Sequence, residues 1–379
     1  MKKLLITIIL VAMLCACVVP NVAYASDETG YDGKAMILMD NATETVMYEK
    51  ESHKHLPIAS MVKIMTALLT FEAIDDGKID YNQKVTVSEN ASSMGGSQMF
   101  LEEGDEYTVS DLLKGVIVVS ANDACVALAE TISGSTNEFV KQMNARAKSL
   151  NLVDTNFVNV TGLPAPEQYS CAYDVAIMLK QLTSHEEYYN YSKIWIEDYT
   201  HPDGRVTQFV NTNKLIRFNN DCKGGKTGFT NEALFCLAAS AERDGMNVIA
   251  VVIGANTSKG RFATVTNLFN KAFAEYENIK VFDKNSPLDI KIPVDNSKVK
   301  EISVYPETSY SLFNKKGDEL KPEISYEYGK VSAPVKRGDV VGQVKIVLNG
   351  ETKTINLLAG DDAEKKSYFD IIDTIRDNW

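Results

Sequence analysis

The chain has 379 residues, 45% hydrophobic and 24% charged, with a formal net charge of −12. That is the composition of a folded chain of two domains or one large one, not of a disordered chain. The acidic balance disfavours nucleic acid, which needs a basic footprint, and simple attraction to anionic lipid.

Residues 1–25 have the order of a signal peptide. Lys2 and Lys3 open it, and an apolar run from Leu4 to Val19 follows. Pro20 breaks the run, and Ala23-Tyr24-Ala25 places small residues where a signal peptidase needs them. The run is shorter than the ~20 residues of a spanning helix. Losing both lysines with this leader brings the mature chain to near −14. Cys125, Cys171, Cys222 and Cys236 remain, widely spaced and without a C-x-x-C pair, so they predict buried thiols rather than a zinc or redox site. His53, His55, His185 and His201 show no ligand spacing and are expected in solvated loops.

Residues 31–279 alternate strand and helix signals. Lys34–Met39 and Val46–Tyr48 flank Asp40-Asn41 as a hairpin. A helix pattern runs from Ser60 to Ile74 and stops at Asp75-Asp76-Gly77. Ser110 and Asp111 are candidate caps for a helix through Leu112, Leu113 and Val116. Ala124–Ile132 and Phe139–Leu150 carry helical apolar spacing. Phe235–Ser240 and Val248–Ile253 are predicted buried strands joined at Arg243-Asp244-Gly245, and Phe262–Tyr276 is a helix. The fold class predicted is α+β, an antiparallel sheet packed with helices. Residues 281–360 then alternate apolar and polar (Leu288, Ile290, Ile292, Val294; Ile324, Tyr326, Tyr328), with an Asn349-Gly350 turn, and predict a small all-β domain.

Residues 363–379 return to helical spacing. Phe369, Ile372, Ile375 and Trp379 make an apolar stripe, beside Tyr368 and Ile371. An amphipathic helix lying on a membrane surface is expected. Its acids (Glu364, Asp370, Asp373, Asp377) outnumber its bases (Lys365, Lys366, Arg376), so binding would rest on apolar burial.

Chemistry concentrates in three places. Ser60 and Lys63 stand three apart at the start of a helix, where an ammonium can reach the hydroxyl. A serine needs an adjacent base, and a desolvated lysine can serve in its neutral form. A second S-x-x-K string, Ser297–Lys300, lies in the β domain and is expected to be coincidental. Ser120-Ala121-Asn122 follows the apolar run Val116–Val119, and Lys226-Thr227-Gly228 follows Gly224-Gly225.

In that order these strings form the three-motif set of penicillin-recognising serine enzymes. Pro57–Ala67, Ser120–Ala124, Gly162-Leu163-Pro164, Ala172-Tyr173-Asp174 and Lys226–Thr230 carry the resemblance further. From about Met36 to Trp379 the chain resembles the low-molecular-mass penicillin-binding proteins of the D-alanyl-D-alanine carboxypeptidase family. The resemblance implies a β-lactamase/DD-peptidase-like fold and cleavage of the last D-alanine from peptidoglycan stem pentapeptides outside the cytoplasm. It implies acylation by β-lactam antibiotics and no metal or organic cofactor. Ser60 would be the nucleophile and Lys63 its base, with Ser120 and Lys226 relaying the proton. Asn122 would hold the substrate amide and help fix Lys63. Thr227 would bind the terminal carboxylate, Gly228 would let the peptide lie beside the strand, and the N–H groups of Ser60 and Phe229 would form the oxyanion hole. Arg261 would draw in the carboxylate. Phe229 departs from members that carry histidine there. A class A β-lactamase would need a deacylating E-x-x-L-N string, absent here, since Tyr189 interrupts Glu186–Asn190. A non-catalytic β-lactam sensor is the other alternative.

Overall fold

The computed structural model describes residues 30–348, 350–368 and 370. The leader at residues 1–25 lies outside them.

Strand β1 (Ala35–Asp40) pairs with β2 (Val46–Lys50), as the hairpin signal predicts. All six β1 residues are buried, because both faces of the sheet are covered. Ala35, Ile37 and Met39 enter the larger core, while Met36 and Leu38 enter a second core on the opposite face. The chain then makes a 3₁₀ turn at Ala59–Val62 and enters helix α1 (Lys63–Asp75). The helix thus begins three residues later than the Ser60 start expected from periodicity. Ala59 sits at φ +47° and Met61 N donates to Ile58 O, so the first turn is wound more tightly than an α-helix. Nearly every α1 residue up to Ala73 is buried, so this is a central helix rather than an amphipathic one.

Helix α2 (Val109–Lys114) is capped by Thr108, not by Ser110. Thr108 Oγ1 accepts from Asp111 N, and Asp111 accepts from Thr108 N in return, a reciprocal capping box. A π-helical turn at Gly115–Val119 follows, then α3 (Asn122–Ser133), α4 (Thr136–Ser149) and α5 (Ala172–Thr183). Strands β3 (Cys222–Thr230), β4 (Leu234–Arg243) and β5 (Met246–Ala255) complete an antiparallel sheet of order β2-β1-β5-β4-β3. Helix α6 (Ser258–Glu275) covers the second core through Val265, Leu268, Phe269 and Ala272. Strands β2 and β3 are the two edges of the sheet.

Beyond α6 the structure is all β. Tyr276–Phe282 pairs with Tyr310–Lys315, and a six-stranded sheet spans Lys291 to Ala359. Its apolar alternation becomes a separate core, with Ile292, Val304, Val344, Ile346 and Leu357 inside. Gly350 has φ +86° and Leu348 pairs with Glu351, as a tight hairpin requires. Ala363 and Lys365 form isolated β-bridges with Val335 and Ser297, so the first residues assigned to the terminal helix are tied to the β region instead. Ser367 N donates to Asp370 Oδ2 and Asp370 N to Ser367 Oγ, the pattern of a helix start. The stripe at Phe369, Ile371, Ile372, Ile375 and Trp379 lies outside the described residues. Among the described residues no helix is long and apolar enough to cross a membrane.

Leu68, 1% exposed in the middle of α1, anchors the larger core. Leu68→Ala is expected to cost about 2–5 kcal/mol of stability. Val153→Ala, at 81% exposure, is expected to change it by less than about 0.5 kcal/mol. Urea unfolding of both variants measures the difference, and equal effects would contradict the packing described.

Candidate active site

The tight turn at Ala59–Val62 leaves Ser60 half-buried and sets Lys63 as the first residue of α1. Lys63 is 1% exposed. Its Nζ donates to Ser60 Oγ at 2.9 Å and to Thr161 O at 2.6 Å. Burial lowers its pKa from 10.5 to about 8, partly offset by Cys125 and Asp123. A lysine so placed is neutral far more often at pH 7 than an exposed one, and it already touches the hydroxyl it would deprotonate.

Ser120 ends the π-helical turn in the left-handed region, at φ 65° and ψ 35°. A non-glycine residue there stores strain, a feature that clusters at functional sites. Its Oγ is buried and, among the described residues, has no hydrogen-bond partner. Two residues on, Asn122 opens α3, its N donating to Ser97 O and its Nδ2 to Gly95 O, both at 2.7 Å. Among the described residues the hydrogen-bond partners of the Lys63 ammonium are Ser60 and Thr161. The restraint expected from Asn122 therefore comes from the Thr161 carbonyl. Asp123, fully buried, accepts from Met99 N and Leu101 N and so holds the Gly95–Leu101 loop around the motif.

Lys226, Thr227 and Gly228 lie on β3, paired with Ala238, Leu237 and Cys236 of β4. Lys226 is 4% exposed, and its Nζ donates to Thr227 O at 2.9 Å. Its pKa is driven well below the usual lysine value, first by burial and then by Lys63. The Lys63 charge thus works against a charge on Lys226, and a bound carboxylate would favour the charged form of Lys226. A Cβ at Gly228 would sit 2.6 Å from Ile58 O and 3.3 Å from Ser60 N. The glycine is therefore needed first so that the strand can press against the nucleophile turn. Gly162, at φ +85°, does the same from the other side, where a Cβ would strike Ala59 O. Phe229 is half exposed and packs on Phe235, ring centroids 4.4 Å apart.

Arg261 reaches β3 and β4 from α6. It is 8% exposed, and Nη1 donates to Gly228 O at 2.9 Å and to Cys236 O at 3.2 Å. The guanidinium lies over the Phe262 and Phe235 rings. Desolvation lowers its pKa to about 10. As the structure stands it braces β3 and β4 beneath the motif.

The chain that carries these parts (a buried lysine on a serine, an unpartnered second serine, and a lysine-bearing edge strand) is similar to known proteins. A family model described as D-alanyl-D-alanine carboxypeptidase matches residues 22–257. The chain belongs to the D-alanyl-D-alanine carboxypeptidase family. Residues 276–365 match the C-terminal domain of penicillin-binding protein 5. D-alanyl-D-alanine carboxypeptidase DacF of Bacillus subtilis is 41% identical, covering 97% of this chain and 96% of that one. The crystal structure of penicillin-binding protein 5 from Haemophilus influenzae is similar at TM-score 0.68 and 30% identity, covering 88% of this chain and 98% of that one. Penicillin-binding protein D2 of Listeria monocytogenes, solved in an ampicillin-bound form, aligns at TM-score 0.58 and 28% identity over 64% of this chain and 98% of that one.

The remaining candidates separate from the site. Ser297 Oγ accepts from Val299 N and Lys300 is exposed, so the second S-x-x-K string forms no pair. Glu186 is exposed. All four described cysteines are buried free thiols. His185 pairs with Asp75, and His201 is buried between Tyr107 and Thr207 rather than solvated. Thr161, Gly162 and Asp123 were not legible as site residues, since their parts are a carbonyl, a missing Cβ and two backbone acceptances.

With Lys63 as the base, a pKa lowered to about 8 predicts that acylation by a β-lactam rises as pH rises through about 8 and levels off above it. Stopped-flow acylation rates between pH 6 and 10 read this profile. A flat profile would exclude Lys63 as the base, as would near-wild-type acylation by Lys63→Ala.

Proposed function

We propose that the protein is a serine-type D-alanyl-D-alanine carboxypeptidase, exported and acting on peptidoglycan stem pentapeptides through an acyl-serine intermediate. The observation that carries the mechanism is the 2.9 Å contact between a buried Lys63 Nζ and Ser60 Oγ. Ser60 Oγ attacks the carbonyl carbon of the penultimate D-alanine, and neutral Lys63 takes its proton. The oxyanion that forms meets the N–H groups of Ser60 and Phe229. Ser120, whose hydroxyl is unpartnered, and Lys226 pass the proton to the nitrogen of the leaving D-alanine. Water then hydrolyses the acyl-serine.

The peptide lies along the free edge of β3 as an added strand, with Asn122 holding its amide. Thr227 and the recharged Lys226 receive the terminal carboxylate. Arg261 serves that carboxylate indirectly, by holding the Gly228 carbonyl and hence the strand. The same apparatus would be acylated by a β-lactam, whose carboxylate takes the place of the terminal one. None of these steps calls for a metal or organic cofactor.

Ser60→Ala is expected to abolish both D-alanine release from a pentapeptide ending in D-alanyl-D-alanine and covalent labelling by a fluorescent penicillin. Ser297→Ala should leave both unchanged. Rapid β-lactam turnover without D-alanine release would favour a β-lactamase, and single acylation without either would favour a sensor.

The terminal stripe is proposed to hold the enzyme at a membrane surface by apolar burial. Deleting residues 371–379 is expected to release the protein from sedimenting liposomes, and raising salt should do little. Full solubility of both forms would remove the anchor.

A further inference from the structure

Away from the candidate active site, three loops bring a second set of reactive groups together. His53 and His55 come from the segment after β2, Asp154 from the loop after α4, and Cys171 from the N-terminal cap of α5. His53 Nδ1 lies 2.9 Å from Asp154 Oδ2, and His55 Nε2 lies 2.9 Å from Asp154 Oδ1. Cys171 Sγ is 4.0 Å from Asp154 Oδ2. The ligand atoms of His53, Asp154 and Cys171 all fall within 4.8 Å of one another. Around a tetrahedral ion such atoms stand roughly 3.3–3.8 Å apart, so the widest pair would have to approach by about an ångström or slightly more.

The surroundings hold these groups in place. Segments 52–56 and 170–173 run antiparallel, through Leu56 N to Ser170 O, Ser170 N to Leu56 O and Tyr173 N to Ser52 O. The pairing stacks His53 on Tyr173 and His55 on Tyr169, with centroids 4.9 and 4.3 Å apart. Asp174 Oδ2 accepts from Asp154 N and Thr155 Oγ1 and fixes the loop that carries the carboxylate. Asp174 N donates to Cys171 Sγ at 3.3 Å, so a backbone N–H and the positive end of α5 face the sulfur. Outer partners of this kind orient metal ligands.

We propose that His53, Asp154 and Cys171 form a site for a divalent ion of the zinc class, with His55 steadying the carboxylate. Imidazole, thiolate and carboxylate together suit a borderline ion, whereas calcium and magnesium take oxygen ligands. Binding is not a redox step. The thiol proton passes to solvent as the sulfur–metal bond forms, and His53 carries its proton on Nε2 so that Nδ1 offers a lone pair. The ion replaces the His53–Asp154 hydrogen bond and clasps the segment leading to Ser60 onto α5. The site is independent of the reading given for the catalytic site.

Cobalt(II) is the probe, added to the reduced full chain in a Cys15→Ser, Cys17→Ser background. A thiolate-to-cobalt charge-transfer band saturating at one ion per chain is expected, displaced by zinc, with a rise in the unfolding temperature. Cys171→Ser should lose the band while keeping its fold by circular dichroism, since serine also caps a helix. His53→Gln should weaken binding roughly tenfold or more. Absence of the band overturns the proposal. So does a band that survives in Cys171→Ser, or an affinity unchanged in His53→Gln.

Discussion

The site depends on one unfavourable placement, an ammonium removed from water. A buried cation costs several kcal/mol unless its donors are met. Lys63 keeps two partners, Ser60 Oγ and the Thr161 carbonyl, and sheds part of the cost by a lowered pKa. That same lowering is what lets a lysine act as a base near neutral pH. Much of the catalytic half can be read as the means of keeping this group dry. Helix α1 is buried on nearly all sides, Gly162 lets a loop close over the nucleophile turn, and Asp123 ties down the loop beside Asn122.

A second buried lysine could not be added freely. Burial and the nearby Lys63 charge both disfavour the charged form of Lys226. In the free protein this favours neutrality. A substrate that brings a carboxylate would reverse the balance on the β3 side alone, leaving Lys63 able to accept a proton. Charge recognition and base strength are thus linked through two side chains rather than set separately. Arg261 enters at one remove, because its guanidinium is committed to the carbonyls of Gly228 and Cys236 and so fixes the strand that carries the motif.

The sheet explains why the motif strand is available to a peptide. Strand β3 has one neighbour, β4, and its other edge faces the nucleophile turn across Gly228. Edge strands invite pairing with other chains. Here the edge lies against the Ser60 turn at Gly228, next to the exposed Phe229. The all-β region is joined on by the pairing of Tyr276–Phe282 with Tyr310–Lys315 and by Lys316, which donates to Phe273 O.

Much was legible in the residues alone, for a physical reason. Period-two and period-3.6 burial record local geometry, so the β1–β2 hairpin, the central strands and the helices after Asn122 and Phe262 could be read directly. The Ser60–Lys63 contact was legible because residues three apart at a helix start face one another, and the order of three short strings marked the family. What the sequence could not carry was anything made by long-range closure. The tight turn at Ala59, the left-handed Ser120, the Thr161 carbonyl beneath Lys63 and the inward turn of Arg261 each depend on backbone brought from far along the chain. His53, His55, Asp154 and Cys171 show the same limit, since the histidines stand roughly a hundred residues before the other two and say nothing until the loops meet. Local pattern determined which elements form and which side chains can react. Tertiary packing decided which of them lose water, and hence which are charged, which are neutral and which face one another.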